Sequence, residues 1–506
     1  MKILKIILSR VVFILLAMVL EVFIILSLFK WAGNYAATIE LVLRIIGAFV
    51  VLNIIRNSKS ISSDLIWILF IELLPVPGTL MYVLLGGRMM LSKTFKDLKE
   101  SAEDSKRYYF QNDVVLGEME RFEPQYAGQF HYISRSESFP FYRNQGCTYY
   151  PLGELGYPHM LDELEKAERF IFMEYFIIGE GVMWENILDI LERKAKEGVD
   201  VRVIYDDMGS FFSLPESYTR KMESRGIKCI SFNKVHPVLN TLMNRRDHRK
   251  IMVIDGKIAF SGGINISDEY INVKKRFGKW KDNIICIKGE SVWSMTVMFL
   301  SHWNALRKED EDFKAFKADI DIPPIKGYVA PYCDSPLDDS RVSQDICQGI
   351  MNQASKYCYI FTPYLIVDNE LMNTLTFAAK RGVDVRIITP GIPDKRMVWA
   401  ITKSYYKPLL KGGVKIYEYE PGFLHSKVFV SDDKIATVGT VNLDYRSMYL
   451  QFENGLYFYG CDEIKEVKKD FCASMGESRE ITLEDCNWGI VRDFLISCLR
   501  VFAPLM

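Results

Sequence analysis

Two stretches of this chain share one pattern: His248-Arg-Lys-Ile-Met-Val-Ile-Asp255 and His425-Ser-Lys-Val-Phe-Val-Ser-Asp432. In each stretch the lysine lies two residues after the histidine, and the aspartate lies five residues after the lysine. A glycine and an asparagine then follow each aspartate by seven and ten residues. Because the chain has only six histidines in 506 residues, two at matched positions indicate an internal duplication.

The duplication extends well beyond these two blocks. Lys194-Ala-Lys-Glu-Gly-Val-Asp-Val-Arg-Val-Ile204 and Ala378-Ala-Lys-Arg-Gly-Val-Asp-Val-Arg-Ile-Ile388 each predict a helix end, a glycine cap and a buried strand. An earlier apolar strand is predicted in each half, at residues 169–176 and 357–364. Since strands that alternate with helical patterns form α/β units, the expected fold class is α/β, with two sandwich domains side by side.

The spacing within each block has a chemical meaning if the block is a strand. Side chains at positions i and i+2 of a strand point to the same face, so the histidine and the lysine would enter one site together. If a pseudo-twofold axis brings the blocks together, His248 and His425 would face each other across one phosphorus, one attacking and the other protonating the leaving oxygen. A packing role would be favoured for a lone histidine, but two matched blocks argue against it.

The pattern defines ten candidate site residues. The candidate catalytic residues are His248, Lys250, Asp255, His425, Lys427 and Asp432, and the candidate supporting residues are Asn265, Asn442, Asp282 and Glu453. The lysines would supply ammonium groups and the asparagines neutral donors to phosphate oxygens, so neither a metal nor a cofactor is expected in this site.

The carboxylates among these candidates have different expected roles. Asp282 follows His248 by 34 residues and Glu453 follows His425 by 28, and carboxylates there would hold the imidazoles in one tautomer and support their charged form. The alternative for both is an ordinary surface or cap carboxylate. Asp255 and Asp432 fall at strand ends where a turn starts, so a structural role is favoured for them over a chemical one.

Composition limits the classes of partner. A formal net charge of −1 does not favour nucleic acid as a bulk ligand, so affinity for phosphate must come from local clusters. Basic residues do cluster around the first block and again at 274–281, which is typical either of a solvated face or of contact with anionic lipid. The ten cysteines include no C-x-x-C pair, and we expect reduced thiols.

The first ninety residues differ from the rest in kind. Residues 11–29 are almost unbroken apolar side chains, which predicts a transmembrane helix; a cleaved secretory signal is the alternative, but the run is long for one. Residues 39–55 predict a second span. Residues 65–87 are interrupted by Pro75-Val-Pro-Gly78, so they predict a kinked span or a re-entrant hairpin. Basic residues at both ends favour two crossings plus a re-entrant segment, with the catalytic domains on the cytoplasmic side of a multi-pass cell-membrane protein.

These observations predict five regions. They are an α-helical membrane region at 1–90, a connector at 91–140, a first α/β domain at 141–322, a second at 323–486, and an amphipathic C-terminal helix at 487–506. The last helix is either packed or interfacial. The oligomeric state does not follow from the sequence.

The two blocks resemble the HKD motifs of the phospholipase D superfamily, and the resemblance covers about residues 150–446. Further stretches are similar to the bacterial cardiolipin synthase branch: Gly439-Thr-Val-Asn-Leu-Asp-Tyr-Arg-Ser447, Trp280-Lys-Asp282 and Thr362-Pro-Tyr364. The membrane region, with Pro75-Val-Pro-Gly78, also resembles that branch. One departure is Gly263, where many members have serine.

The resemblance implies two phospholipase D-like domains and a ping-pong transfer. One phosphatidylglycerol would form a phosphatidyl-histidine and release glycerol, and a second would attack it to give cardiolipin; anionic phospholipid and membrane are the implied partners. By resemblance to members whose N-terminal motif attacks, His248 would be the nucleophile and His425 the acid and base. A phospholipase D hydrolase or a phosphatidylserine synthase would use the same motifs, with water or serine as acceptor. An HKD nuclease would be expected to be basic and soluble.

Overall fold

The computed structural model describes residues 36–56, 61–75, 92–235 and 241–489, together with residues 23, 27, 78, 79, 82, 495, 496 and 498–500. The chain divides into two compact units, one of residues 1–93, 233–245 and 505, and one of residues 94–232, 246–504 and 506. In the first unit, helix α1 (Ala36–Arg56) packs on helix α2 (Ile61–Leu73), and Ile54 and Ile71 are buried.

The predicted transmembrane region is not supported by the structure. The first predicted span, 11–29, lies outside the described residues apart from residues 23 and 27. Most of the third predicted segment, 65–87, also lies outside them after residue 75. Among the helices of the described part of the chain, none has the length and apolar character needed to cross a membrane.

The second unit holds the connector and both predicted α/β domains. Its helices are α3 (Lys93–Ser105), α4 (Asp113–Phe122), α5 (Ala127–His131), α6 (Gly153–Glu165), α7 (Val182–Lys196), α8 (Tyr218–Glu223), α9 (Val292–Arg307), α10 (Val342–Gln353), α11 (Asn369–Lys380), α12 (Arg396–Lys411), α13 (Tyr445–Tyr449) and α14 (Glu463–Gly476). Its strands are β1 (Tyr142–Arg143), β2 (Cys147–Tyr150), β3 (Phe170–Tyr175), β4 (Asp200–Asp206), β5 (Lys228–Phe232), β6 (Arg246–Asp247), β7 (Lys250–Ile254), β8 (Ile258–Gly262), β9 (Lys279–Lys281), β10 (Ile284–Lys288), β11 (Tyr328–Asp334), β12 (Tyr357–Phe361), β13 (Leu365–Ile366), β14 (Asp384–Pro390), β15 (Lys415–Tyr419), β16 (Gly422–Leu424), β17 (Val428–Ser431), β18 (Ile435–Gly439), β19 (Leu443–Asp444), β20 (Gln451–Tyr459) and β21 (Ser478–Ile481).

Two large mixed sheets confirm the α/β fold class and the duplication. The first sheet has the order β2-β10-β8-β7-β3-β4-β5, and the second contains the run β11-β20-β18-β17-β12-β14-β15. In both sheets the last two pairs of neighbouring strands in this order are parallel, and the other pairs are antiparallel. The strands of the first sheet therefore correspond one to one to those of the run in the second. Strands β3 and β7 are buried along their whole length, because helices cover both faces of the sheet.

The repeated helix, glycine and strand pattern has the predicted structure in both halves. Helix α7 ends two residues before Gly198, whose φ is +94°, and β4 begins two residues later. Helix α11 likewise ends two residues before Gly382, whose φ is +95°, and β14 follows. Because a side chain is strained at positive φ, glycine ends each helix and turns the chain back into the sheet.

The two halves are joined more closely than side-by-side domains would be. Strands β1 and β6, from the predicted first domain, pair with β11 and β20 of the second sheet. Strand β9 of the first half pairs with β16 of the second. Helix α9, buried over most of its length, contacts β3 and β7 as well as β11 of the other sheet.

The structure describes only part of the predicted C-terminal helix. Of the predicted helix at 487–506, residues 495–496 and 498–500 are helical, and residues 490–494, 497 and 501–506 lie outside the described residues. Ile496 is buried, and the Arg500 guanidinium lies 4.1 Å from the centre of the Tyr405 ring. All ten cysteines are free thiols, as the sequence predicts.

Candidate active site

Each HKD block begins where a short strand of one half pairs with a strand of the other. Strand β6 runs parallel to β20, and the backbone N–H of His248 donates to the carbonyl of Phe452 at 2.9 Å. Strand β16 runs parallel to β9, and the N–H of His425 donates to the carbonyl of Lys281 at 2.7 Å. Each histidine thus donates its backbone N–H to the opposite half, as a pseudo-twofold relation between the halves requires.

The histidines lie just before the long strands rather than within them. Strand β7 begins at Lys250, and β17 begins at Val428, one residue after Lys427. The sequence predicted both residues of each pair inside a strand. The two histidines lie outside it because their backbone N–H groups bond to the opposite half, whereas Lys250 is the first residue of β7.

Each imidazole is held by a carboxylate of the other half. The Nδ1 atom of His248 lies 3.0 and 2.9 Å from the two carboxylate oxygens of Glu453, and the hydroxyl of Thr440 donates to Oε2 of the same carboxylate. The Nδ1 atom of His425 lies 2.6 Å from Oδ2 of Asp282. The sequence predicted both carboxylates but not this crossed pairing.

The glycine at position 263 makes room for one of these carboxylates. A Cβ atom built on Gly263 would lie 1.9 Å from Oδ1 of Asp282. The absence of a side chain therefore allows the Asp282 carboxylate to reach His425, which gives this departure from the family pattern a steric reason.

The two pairs differ in their electrostatics. Burial, with the charges of Lys250 and Lys427, holds the pKa of His248 well below its ordinary value, and burial raises the pKa of Glu453 well above its own. Both shifts disfavour an ion pair between a charged His248 and an ionised Glu453.

The second pair supports a charged imidazole better. Burial acts to raise the pKa of Asp282, but His425 and Lys427 outweigh it and the net pKa is lowered. Burial and Lys427 lower the pKa of His425 to about 4, and Asp282 opposes that shift. An ionised Asp282 thus favours protonation of His425 in a way that Glu453 does not provide for His248.

The two lysines are buried next to the histidines. The ammonium of Lys250 donates to the carbonyl of His248 at 2.8 Å, and that of Lys427 donates to the carbonyl of His425. Each ammonium has three N–H groups, so this bond leaves donors for a ligand. Burial lowers the pKa of Lys250 to about 8 and that of Lys427 to about 7.

The two asparagines are not equivalent. The amide of Asn265 donates to the Tyr270 hydroxyl at 2.7 Å, and its oxygen accepts the N–H of Ile177 at 3.0 Å. These contacts fix the loop after β3. The side-chain oxygen of Asn442 has no hydrogen-bond partner in the part of the chain that the structure describes.

The aspartates that complete the HKD blocks hold strands, not substrate. The Asp255 carboxylate accepts three backbone N–H groups, from Glu168 at 2.9 Å, Arg169 at 2.8 Å and Phe170 at 2.9 Å. Asp432 accepts the matching groups of residues 355, 356 and 357 at 2.7, 2.9 and 2.9 Å. These contacts at the far end of the strand favour the structural role that the sequence indicates for both aspartates over a chemical one.

Several basic residues that the sequence associated with anionic lipid are paired inside the protein. The guanidinium of Arg246 makes a two-pronged bond to Asp206, with Nη2 2.7 Å from Oδ1 and Nε 2.9 Å from Oδ2, and both residues are fully buried. The Lys281 ammonium lies 2.8 Å from Asp470 and is also buried. Thr440 and Asn454 were missed in the sequence, although Asn454, which accepts the Lys250 N–H at 3.0 Å, directly follows the predicted Glu453.

Comparison with known proteins agrees with this site. The family described as cardiolipin synthase, PLD-like domain matches residues 160–303 and 347–475, and each matched segment contains one HKD block. The chain belongs to this family. A Streptococcus mutans protein described as uncharacterized is 43% identical over 457 residues, covering 90% of this chain and 99% of that protein. A cardiolipin synthase of Alkalihalophilus pseudofirmus is 32% identical over 479 residues, covering 93% and 94%.

A solved structure shares the fold of the family. The crystal structure of phosphatidylserine synthase from Haemophilus influenzae superposes with a TM-score of 0.55 at 14% sequence identity, covering 73% of this chain and 98% of that one. At this identity the similarity concerns the fold alone.

Proposed function

We propose that the protein is a cardiolipin synthase that transfers a phosphatidyl group from one phosphatidylglycerol to another and releases glycerol. One observation supports this most: each HKD histidine has Nδ1 engaged by a buried carboxylate of the opposite half, beside a buried lysine. A double displacement at phosphorus needs a nucleophile and a proton carrier in each step, and two such imidazoles supply both. Family membership and the 32% identical cardiolipin synthase support the choice of lipid.

In this proposal the donor phosphodiester binds between Lys250 and Lys427. Their ammonium groups, each fixed by its bond to a histidine carbonyl, interact with the phosphate oxygens. Asn442 supplies a neutral donor. These fixed charges stabilise the trigonal-bipyramidal transition state, which has more negative charge on its equatorial oxygens than the bound ester does.

In the first step, His248 attacks phosphorus through Nε2. Its Nδ1 is engaged by Glu453, and the lowered pKa of His248 keeps the imidazole neutral, as a nucleophile must be. The bond between phosphorus and the glycerol oxygen breaks, His425 donates a proton to that oxygen, and glycerol leaves. The phosphate charge of the donor favours the protonated form of His425, which ionised Asp282 also supports.

In the second step, the free hydroxyl of another phosphatidylglycerol attacks the phosphatidyl-histidine. His425 now accepts the proton of that hydroxyl, and the bond between phosphorus and Nε2 of His248 breaks. Cardiolipin leaves, and both imidazoles return to their starting state. The same site thus handles both steps, because the acceptor enters where the glycerol left.

The test uses the full-length protein in detergent with phosphatidylglycerol as the sole lipid, with products resolved by mass. We expect cardiolipin and glycerol in equal amounts, without added nucleotide or metal. A double variant, His248→Ala with His425→Ala, measures the background. Phosphatidic acid as the main product would make the protein a hydrolase, and phosphatidylserine formed only on addition of serine would make it a phosphatidylserine synthase.

We also propose that residues 1–90 hold the catalytic unit at the cell membrane, on its cytoplasmic side. The apolar run at 11–29 supports this, as do exposed apolar side chains of α1 and α2, among them Phe49 and Leu73. Cys472 is exposed and offers a test. In a Cys498→Ser variant, a membrane-impermeant maleimide should label Cys472 in opened cells and not in intact ones. Labelling in intact cells would place the catalytic unit outside.

A further inference from the structure

A second cluster of chemically active side chains lies behind the His248 block. Glu174 on β3, Asp247 on β6 and His302 on α9 each offer a ligand atom, and these atoms lie within 4.8 Å of one another. The side chains are almost inaccessible, at 0%, 0% and 3% exposure. None of the three belongs to the phosphate site described above.

Four polar atoms of this cluster lack hydrogen-bond partners among the described residues. They are both carboxylate oxygens of Glu174, Oδ2 of Asp247 and Nδ1 of His302. Nδ1 of His302 lies 2.9 Å from Oε1 of Glu174, yet their orientation makes no hydrogen bond. Buried carboxylate oxygens without a partner are costly, so a group that satisfies them is expected at this point.

Among the described residues, one guanidinium forms an ion pair with this cluster of two carboxylates. The guanidinium of Arg249 lies 3.9 Å from Oε1 of Glu174 and 5.7 Å from the centre of the Phe452 ring, and the Arg249 backbone N–H donates to Oδ1 of Asp247 at 3.3 Å. Two aromatic rings pack on His302. The Phe232 ring is stacked on the imidazole, and the Phe452 ring lies edge-on to it, with 4.8 Å between the ring centres.

The remaining negative charge requires either a proton or a metal ion. Glu174 and Asp247 are fully buried beside a single guanidinium, so one negative charge remains to be neutralised if both carboxylates are ionised.

We propose that Glu174, Asp247 and His302 bind one divalent first-row transition cation, such as Zn²⁺ or Mn²⁺. One imidazole nitrogen with carboxylate oxygens is a common ligand set for such ions, whereas Mg²⁺ and Ca²⁺ prefer oxygen alone. A proton shared between the two carboxyl groups would satisfy one oxygen of each and leave the second oxygen of Glu174 and Nδ1 of His302 without a partner, whereas a cation binds all three side chains at once. The unpartnered nitrogen of His302 favours the cation.

The proposed ion has a structural role next to the reaction. Asp247 directly precedes His248, and Phe452, packed on His302, directly precedes Glu453. A cation on Asp247 would therefore fix the backbone on which the attacking imidazole depends. The ion itself does not contact the substrate.

The test measures metal content, not activity, so its outcome is independent of the proposed function. Full-length protein is purified without a metal-affinity tag or chelator and analysed by plasma mass spectrometry; it is then stripped and titrated separately with Zn²⁺, Mn²⁺ and Mg²⁺ while Tm is recorded. We expect about one equivalent of transition metal per chain and a rise in Tm with Zn²⁺ or Mn²⁺ but not with Mg²⁺.

Variants locate the ion. His302→Ala, Asp247→Asn and Glu174→Gln should each lose the metal and the rise in Tm, and Glu174→Gln keeps the side-chain volume in case loss of the ring prevents folding. His131→Ala is the matched control, since His131 pairs with Glu120 at 2.8 Å on the surface. Unaltered protein without stoichiometric metal or any rise in Tm would overturn the proposal in favour of a shared proton. Metal retained in all three variants would place the ion elsewhere.

Discussion

At the residue scale, the two histidines differ in the carboxylate that holds them. Glu453 is also bonded by Thr440 and has a raised pKa, whereas the pKa of Asp282 is lowered. The difference suits His248 to attack as a neutral base and His425 to gain and lose a proton. This difference is a physical reason in favour of His248 as the nucleophile, which the sequence analysis proposed from resemblance alone.

This assignment predicts different outcomes for the two histidine variants. Either His248→Ala or His425→Ala should lower turnover by about 10⁴-fold, and the double variant should be scarcely worse because the residues act as a unit. Quenched reactions with labelled phosphatidylglycerol should trap labelled protein in His425→Ala, most clearly with a leaving group that needs no protonation. His248→Ala should trap none.

The opposite labelling pattern would reverse the roles. Label retained on His425 in the His248→Ala protein would make His425 the nucleophile. No label in either variant or in the parent would contradict the covalent mechanism itself. Unchanged Tm in both variants is the control that separates lost chemistry from lost folding.

The buried lysines predict a pH dependence. The pKa of Lys427 is lowered to about 7 and that of Lys250 to about 8, so the free protein loses ammonium charge as pH rises through these values. We expect kcat/KM for phosphatidylglycerol to fall by roughly tenfold or more between pH 7 and 9, mainly through KM. Lys427→Arg, which stays charged, should move this alkaline limb upward. A profile that is flat to pH 9 in the unaltered protein would contradict the role of the lysines.

At the scale of the elements, the HKD aspartates hold strands together. Asp255 has a φ of +55° at the end of β7 and accepts the three N–H groups that begin β3, and Asp432 does the same for β12. Their carboxylates therefore replace strand partners at the sheet end. This explains why aspartate recurs at this position without taking part in the reaction.

Replacing either aspartate should reduce stability more than chemistry. Asp255→Ala removes the acceptor of three N–H groups, of which that of Phe170 is buried, and should lower the free energy of unfolding by about 1 to 3 kcal/mol. Asp255→Asn should cost less, because its oxygen still serves Arg169 and Phe170. Thermal unfolding measures both, and kcat below the transition should stay within about threefold of the parent value. A large loss of kcat in fully folded Asp255→Asn would return the residue to the active site.

At the scale of the whole molecule, two short ribbons between the halves place the active site. The ribbon of β9 and β16 positions Asp282 against His425, and Gly422 lies at its start. A Cβ on Gly422 would lie 2.2 Å from the backbone oxygen of Lys279, which cannot move without opening the ribbon.

Gly422→Ala should therefore damage activity from outside the catalytic residues. We expect kcat to fall by about 10²-fold because the ribbon shifts Asp282 away from His425. Gly117→Ala is the matched control, since nothing lies within 4 Å of its Cβ in helix α4, and both kcat and Tm should be maintained or slightly improved. Full activity in Gly422→Ala would show that the ribbon is not needed to place the site.

The duplicated α/β fold and the two HKD blocks can be recognised from the amino-acid sequence alone. Helix ends, glycine caps and strand periodicity depend on a few neighbouring residues, so they can be recognised in a single stretch and again in its repeat. The histidines and lysines followed from the matched spacing. The prediction of reduced thiols followed from the absence of C-x-x-C pairs in the sequence.

The pairing of site residues across the two halves becomes visible in the three-dimensional structure and not before. His248 and Glu453 are 205 residues apart, and His425 and Asp282 are 143 apart, so no local pattern assigns the pairs. The same holds for Asn265, which is engaged by Tyr270 and Ile177, and for Asp255 and Asp432, which bind backbone far from the site. The physical reason is that local sequence sets each element, whereas pairing across the two halves depends on how the sheets exchange strands.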